Sequence, residues 1–271
     1  MNKKQKALAV TAATAAAGVL AWGNTSISTT EYIITSPRLP KAFHGLRIAQ
    51  VSDLHNDLFG VDYCRLVRSL EQAKPSLIAI TGDMLDARRT NIPRALLAAE
   101  KMLTVAPCLY VKGNHEARTP SYPIFEKGLL ETGVHVLRNR SFDIGRNGEK
   151  LTVIGMDCPY GDPDYPAFLY DIRSRSDNFT LLLSHHPEEF DTYTQIGMDL
   201  VLCGHTHGGQ VRLPLLGGVI APHQGFFPKY DAGLYEQGST RMIISRGLGN
   251  SLCPLRVNNR PELVVVELRS E

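Results

Sequence analysis

The sequence predicts an α/β layered fold with a largely parallel sheet, organised as one domain with two packed sheets. Three observations carry this. Short apolar runs alternate with stretches of helical spacing through the first half. The second half is richer in strands. No internal repeat and no clear linker appears after residue 45. Strand and helix in regular alternation imply parallel strands joined by helical crossovers.

The elements follow in order. Leu46 to Val51 reads as a strand, and Val61 to Ala73 as a helix carrying Val61, Leu66, Val67 and Leu70 on one face. Ser76 to Ile80 is a second, buried strand. Ile92 to Leu103 is a helix, with Asn91 as its N-cap and Pro93 in its first turn. Cys108 to Val111 is a strand, Pro123 to Glu131 a helix, and Val134 to Leu137 a strand. Ser141 to Ile144 and Leu151 to Gly155 flank Asn147-Gly148, a hairpin signal. Phe179 to Leu183 and Leu200 to Cys203 are buried strands, separated by a helix from Glu188 to Ile196. Ala232 to Glu236, Arg241 to Ser245 and Glu262 to Leu268 close the chain as strands.

Composition narrows the class. The chain has 271 residues and a net charge of +2, with no basic stripe, which argues against a nucleic-acid partner. Its five cysteines are scattered without a C-x-x-C pair, so they form neither a disulfide framework nor a zinc knuckle. Most are expected to be small buried hydrophobes. Residues 1–22 differ: Lys3, Lys4 and Lys6 precede an alanine-rich apolar run ending at Trp22. That is the pattern of a signal peptide or membrane anchor, set against an ordinary amphipathic or disordered N-terminus. The run is short against the ~20 apolar residues a spanning helix needs. If it inserts in a bacterial inner membrane, the lysines stay cytoplasmic and the catalytic domain lies on the extracytoplasmic side. Residues 23–44, rich in Ser, Thr and Pro, read as a polar tether to a domain spanning 45–271.

Five apolar runs end in the same kind of chemistry, and strand ends are where open α/β sheets place ligands. After Val51 come Asp53 and His55; after Ile80 come Gly82-Asp83 and Asp86; after Val111 come Gly113-Asn114-His115-Glu116. After Leu183 come His185-His186-Pro187, and after Cys203 comes Gly204-His205-Thr206-His207. Any one of these alone is ordinary surface polarity or a helix cap. Five in order, each closing a buried run, are not, because polar groups buried at strand ends are costly unless paired. A shared pair of cations would pair them all.

In that order, D-x-H, G-D-x-x-D, G-N-H-[DE], a lone His and G-H-x-H resemble the calcineurin-like metallophosphoesterases. The resemblance runs from about Leu46 to the C-terminus. Gly208-Gly209-Gln210, Ser245 to Gly249 and Arg260-Pro261-Glu262 resemble a small, membrane-linked branch that includes UDP-2,3-diacylglucosamine pyrophosphatases. The resemblance implies a four-layer αββα sandwich with two mixed β-sheets. It also implies two divalent metal ions, with manganese, iron or zinc all suited to a mixed His, Asp and Asn set. Asp53, His55, Asp83 and His207 would hold one metal. Asp83, Asn114, His185 and His205 would hold the other, with Asp83 bridging. Metals about 3.5–4 Å apart can share a hydroxide that attacks phosphorus in line. His115 would be the catalytic group that stabilises the transition state or protonates the leaving oxygen. Asp86 and Glu116 would orient ligands by hydrogen bonds. Glu116 stands where many relatives have Asp. His186 would face solvent or touch substrate, and Arg246 would contact a phosphate oxygen or form a surface salt bridge.

The segment from Val211 to Pro222, followed by Gly225-Phe226-Phe227-Pro228, is apolar without a clean period. Either it packs as core beneath the active-site face, the simpler expectation, or it forms a rim for acyl chains or a membrane surface. The reading is a phosphoester or pyrophosphate hydrolase acting on a membrane-associated or lipid-linked substrate. UDP-2,3-diacylglucosamine hydrolysis is a narrower alternative that conflicts with an outward-facing domain, since UDP-sugars are cytoplasmic. A non-catalytic scaffold with this fold is the rival of another class. It would have lost ligands, whereas all seven ligand positions and His115 are filled.

Overall fold

Strands apolar on both faces must be covered on both sides, and that requirement sets the architecture. The computed structural model describes residues 22–157, 164–250 and 255–271 and, of the first 21, only Asn2, Lys3, Gln5, Lys6, Val10, Thr11, Thr14 and Gly18. Most of the N-terminal apolar run, together with Cys158 and Cys253, therefore lies outside the described residues. Among the described residues no helix is long and apolar enough to cross a membrane.

In chain order the elements begin β1 (Ser28–Ser36), β2 (Leu46–Val51), α1 (Cys64–Ala73), β3 (Leu77–Ile80), α2 (Ile92–Leu103) and β4 (Cys108–Tyr110). Next come α3 (Asn114–Arg118), α4 (Tyr122–Thr132), β5 (His135–Val136), β6 (Arg140–Arg146), β7 (Glu149–Gly155) and α5 (Tyr165–Ser174). They continue with β8 (Phe179–Leu183), α6 (Phe190–Ile196), β9 (Leu200–Cys203), β10 (Arg212–Leu213), β11 (Gly217–Gly218), β12 (Ile220–Ala221) and β13 (Gly225–Phe226). The last three are β14 (Gly233–Gln237), β15 (Thr240–Ile244) and β16 (Glu262–Ser270). One sheet has the order β1-β16-β2-β3-β4-β5 and the other β14-β15-β9-β8-β7-β6. Both are mixed: β16 runs antiparallel to β2, and β14 and β6 run antiparallel to β15 and β7.

The period-two alternation of each strand sorts its side chains between two cores. Leu77 and Ala79 of β3, with Leu181 and Leu183 of β8, fill the layer between the sheets. Ile78 and Ile80 turn outward to meet Leu66, Ala98 and Phe125 of α1, α2 and α4. Leu182 and Val201 turn the other way onto Leu169 and Tyr193 of α5 and α6. The result is the four-layer αββα sandwich. Local signals agree with it. The Asn91 side chain accepts the Arg94 N–H at the start of α2, and Asn147 and Gly148, both at positive φ, make the two-residue turn between β6 and β7.

The tether reading of residues 23–44 is corrected. Ser28–Ser36 is a full edge strand, in register with β16 from Ser28 opposite Glu262 to Ser36 opposite Ser270. Its Thr, Tyr and Ile residues favour extended backbone, and Ile34 is buried. Ser and Thr content alone masked that alternation. Phe43, a few residues on, is also buried.

Candidate metal centre

The ligand-bearing turns all leave the C-terminal ends of strands: Asp53 and His55 after β2, Asp83 after β3, Asn114 after β4, His185 after β8, and His205 and His207 after β9. The turns are cross-linked. The Asp53 N–H donates to Gly82 O (3.0 Å), the His55 N–H to Asp83 O (3.0 Å), and the His205 N–H to both Asp53 carboxylate oxygens (3.2 and 3.1 Å). Gln50, buried between the sheets, ties them together by donating to Thr81 Oγ1 and Cys203 O. Asp53, His55, Asp83, His205 and His207 all have φ between 48° and 76°. Such backbone costs of order 1–3 kcal/mol per residue and persists only where the surroundings fix it. Gly113 has another reason to be glycine: a Cβ there would stand 2.6 Å from Asp83 N and closer still to Asp83 Oδ1.

The structure brings the seven together as two buried groups. In the first, His55 Nε2 and His207 Nε2 are 3.1 Å apart, and His207 Nε2 is 3.5 Å from Asp53 Oδ1. In the second, His185 Nε2 is 3.0 Å from Asn114 Oδ1, 3.2 Å from Asp83 Oδ2 and 3.2 Å from His205 Nδ1. Asp83 Oδ2 also stands 3.7 Å from His55 Nε2, so one carboxylate oxygen addresses both groups. Asp53, His55 and His207, and likewise Asp83, His185 and His205, each have donor atoms within 4.8 Å of one another, as a metal site requires. Bonds of about 2.0–2.2 Å to one cation set ligand atoms roughly 3–3.5 Å apart, which is the spacing found. Nitrogen and oxygen lone pairs crowded this closely repel unless a cation or proton lies between them, so these residues fit a metal.

The charges interlock. Burial opposes ionisation of Asp53, but His207, His55 and His185 outweigh it and hold the carboxyl well below its ordinary range. Asp83 is held down in the same way by His185 and His55. Burial lowers His185, yet Asp83 and Asp53 carry it up to about 10. His207 goes the other way, to about 3, because burial dominates and His55 and Arg256 add repulsion.

Beside the ligands, His115 Nδ1 accepts the Ala87 N–H at 3.1 Å, so the neutral ring carries its proton on Nε2. Asp86 Oδ1 stands 3.6 Å from that ring and accepts from Arg88 N–H, while Oδ2 accepts from Arg89. Glu116 is fully buried and accepts N–H bonds from Asp83, Leu85 and Gly113 at 2.8, 2.8 and 3.0 Å. It therefore clamps the β3 turn to the β4 turn. Arg246 pairs with Glu262 (2.9 Å) and donates to Ser28 Oγ. The expectation that His186 faces solvent is corrected: it is fully buried, with Nδ1 3.1 Å from Glu188 Oε1 and its ring beside those of His185 and His205. The turn at Pro187–Glu189 folds Glu188 back over it.

Sequence reasoning missed Arg256. Its side chain is buried and donates to Gly249 O, Arg246 O and Asn250 Oδ1, with Nη2 3.4 Å from His207 Nδ1. No local pattern marks it, because its partners lie in other loops. The expectation of packing for the 211–228 segment also fails. The two small hairpins β10–β11 and β12–β13 leave Leu215, Leu216, Ile220, Phe226 and Phe227 exposed. A cavity of ≈ 230 Å³ lies between one of them and the ligands, lined by Ala87, Arg88, Asn114, His115, Arg118, Pro222 and His223.

Comparison with known proteins agrees with this geometry. Residues 46–209 match the family model of the calcineurin-like phosphoesterases. The uncharacterised metallophosphoesterase YkuE of Bacillus subtilis is 34% identical over 253 residues, covering 90% of this chain and 86% of that protein. The phosphodiesterase YaeI of Escherichia coli is 31% identical over 229 residues, covering 82% of each. Among solved structures, the sulfate thiohydrolase SoxB of Thermus thermophilus shares the fold, with a TM-score of 0.52 at 14% identity over 83% of this chain and 57% of that one. The chain accordingly belongs to the calcineurin-like phosphoesterase family and is a metal-dependent phosphohydrolase.

Proposed function

We propose that the protein is a binuclear-metal hydrolase of phosphodiester or pyrophosphate bonds in a membrane-associated or lipid-linked substrate. The observation that carries it is the pair of buried donor groups addressed by one oxygen of Asp83. Asp53, His55 and His207 would hold one cation, Asn114, His185 and His205 the other, and Asp83 both. When bound, such cations lower the pKa of water and neutralise phosphoryl oxygens. The chain's own residues supply the rest. Glu116 fixes the distance between the Asp83 and Asn114 turns. His115, oriented by the Ala87 N–H, offers Nε2–H to the leaving oxygen from the wall of the adjoining cavity. A relative named as a phosphodiesterase supports diester chemistry.

The lipid part rests on the exposed Leu215, Leu216, Phe226 and Phe227, on hairpins that follow the His207 turn and reach the cavity through Pro222 and His223. Apolar side chains left in water beside a reaction site suit acyl chains or a bilayer surface. The basic, apolar N-terminus would hold the domain at the membrane, on the extracytoplasmic side. The test is turnover of a panel of lipid phosphodiesters and lipid pyrophosphates by the full-length, Mn²⁺-loaded protein, with products identified by mass spectrometry. Cleavage of a lipid-linked ester that Asp83→Ala abolishes is expected. Turnover of water-soluble esters alone contradicts the lipid part, and no turnover of any ester contradicts the whole.

A further inference from the structure

We propose that the outer face of the hairpins β10–β11 and β12–β13 is a bilayer-docking surface that seats the metal centre at the membrane. This rests on the membrane-associated reading above and deepens it, because the occupant is the bilayer itself. The face is built to project. The Leu216 N–H donates to Leu213 O (3.3 Å), closing a turn with Pro214 second and Leu215 third. Leu215 has φ 67° at that third position, where glycine is favoured, and its side chain is fully exposed. Phe227 is likewise exposed, at φ 53°. A bulky apolar residue so placed costs free energy twice in water, once in the backbone and once in hydration. Insertion into hydrocarbon removes the second cost. In β12–β13, Ile220 lies directly opposite Phe226, so both side chains stand on one face of the ribbon, and both are exposed.

The hairpins are fixed to the metal centre on one side and to the N-terminal segment on the other. The Val219 N–H donates to Gly209 O (3.3 Å) and Val211 O (2.9 Å), and the Phe227 N–H to Val219 O (2.9 Å). Both hairpins are thereby tied to the turn that carries His207. The Arg212 N–H donates to Val257 O (3.0 Å), and Val211 pairs with Val257. Next to Val257, the Arg256 N–H donates to Asn24 Oδ1 (2.7 Å) and Asn24 Nδ2 donates to Arg256 O (3.2 Å). The Arg260 guanidinium lies 4.4 Å over the Trp22 ring. Trp22 and Val257 are both exposed and border one cavity of ≈ 340 Å³. The lysine-first apolar sequence before Trp22 therefore joins the fold one segment away from the base of β10. Indole rings favour the membrane–water boundary. Lys229, exposed two residues after Phe227, brings a cation that suits anionic head groups. An apolar strip that starts beside this N-terminal sequence and ends at the metal loop fits a bilayer lying across both.

The test uses the full chain, whose single tryptophan is Trp22. Trp22→Phe with Phe227→Trp puts the sole indole on the proposed face. Trp22→Phe with Leu130→Trp puts it at an exposed position near the end of α4, where the chain enters β5 at the strand ends opposite the metal ligands. Each protein is mixed with vesicles of phosphatidylcholine and phosphatidylglycerol whose acyl chains are plain or brominated, since bromine quenches only indoles that reach the hydrocarbon. An interfacial apolar face sits about 5–10 Å into the head-group and acyl boundary, so fluorescence from position 227 should fall about twofold or more while that from position 130 is unchanged. Adding Leu215→Glu and Leu216→Glu to the position-227 reporter should remove most of the quenching, because withdrawing each leucine is worth roughly 10- to 100-fold in partitioning. No quenching at position 227, or equal quenching at both positions, overturns the docking surface. An unquenched indole at 227 whose emission shifts to the blue with rising protein concentration assigns the face to a second copy and overturns it too. Turnover of bis(4-nitrophenyl) phosphate is read separately, and its absence in wild-type protein with quenching retained overturns the hydrolase reading alone.

Discussion

Replacing Gly113 by alanine adds one methyl group at the centre of the ligand scaffold. The new Cβ would stand 2.6 Å from Asp83 N and closer to Asp83 Oδ1, where relaxed contacts are about 3.5 Å. The obstacle is backbone on one side and the shared carboxylate on the other, so neither turn can yield by a rotamer change. The β3 and β4 turns must separate by roughly 1 Å, and both are clamped through Glu116 at 2.8 and 3.0 Å. Overpacking of this kind costs about 1–3 kcal/mol, or a Tm loss of about 2–12 °C for a domain of this size. A shift of about 1 Å in a catalytic constellation costs on the order of 100-fold in rate. The variant should therefore lose at least that much Mn²⁺-dependent turnover of bis(4-nitrophenyl) phosphate while still unfolding cooperatively. Activity within threefold of wild type would refute the claim that the Gly113–Asp83 contact sets the ligand geometry.

Other outcomes follow from the same geometry. His115→Gln should lower kcat by about 10²–10³-fold, the usual worth of one preorganised hydrogen-bond donor to developing negative charge, without changing metal content by mass spectrometry. A loss of metal instead would place His115 among the ligands. Metal loading should displace a proton from His185. Burial lowers this group, but Asp83 and Asp53 raise it to about 10, so in the metal-free protein at pH 8 it is protonated. Metal affinity should weaken as pH falls below that value, and calorimetry in buffers of different ionisation enthalpy should show roughly one proton released. No proton release at pH 8 would contradict the Asp83–His185 pairing. Arg256→Met should weaken metal retention, because it removes the guanidinium that holds Gly249 O and Arg246 O around His207; unchanged retention on dialysis against chelator would count against that role.

Much of this was legible because the chemistry is local. Each ligand follows a run buried on both faces, so period and burial mark the strand and the next residues mark the turn. Helix α2 with its Asn91 cap and the Asn147-Gly148 turn were readable for the same reason. What was hidden depends on contacts distant in sequence. β1 looks like a polar linker until β16, more than two hundred residues on, supplies its partner. Strand alternation predicts that His186, next to His185, points outward. The turn at Pro187–Glu189 breaks that alternation and lets both rings lie inside. Helix α3 is a single short turn, held by Glu116 rather than by an apolar face, so it leaves no periodic trace. The apolar hairpins were misjudged because hydrophobicity predicts burial only when a neighbouring element exists to cover it.

The central claim is that one oxygen of Asp83 serves two cations. Metal content of the full-length protein, measured by mass spectrometry after loading with Mn²⁺ and gel filtration, tests it most directly when paired with Asp83→Ala. Two ions per chain are expected in the wild type and a loss of retention at both sites in the variant, because each donor group loses the carboxylate it shares. A wild-type protein that hydrolyses phosphoesters with a single ion per chain, or an Asp83→Ala variant that keeps two, would contradict it.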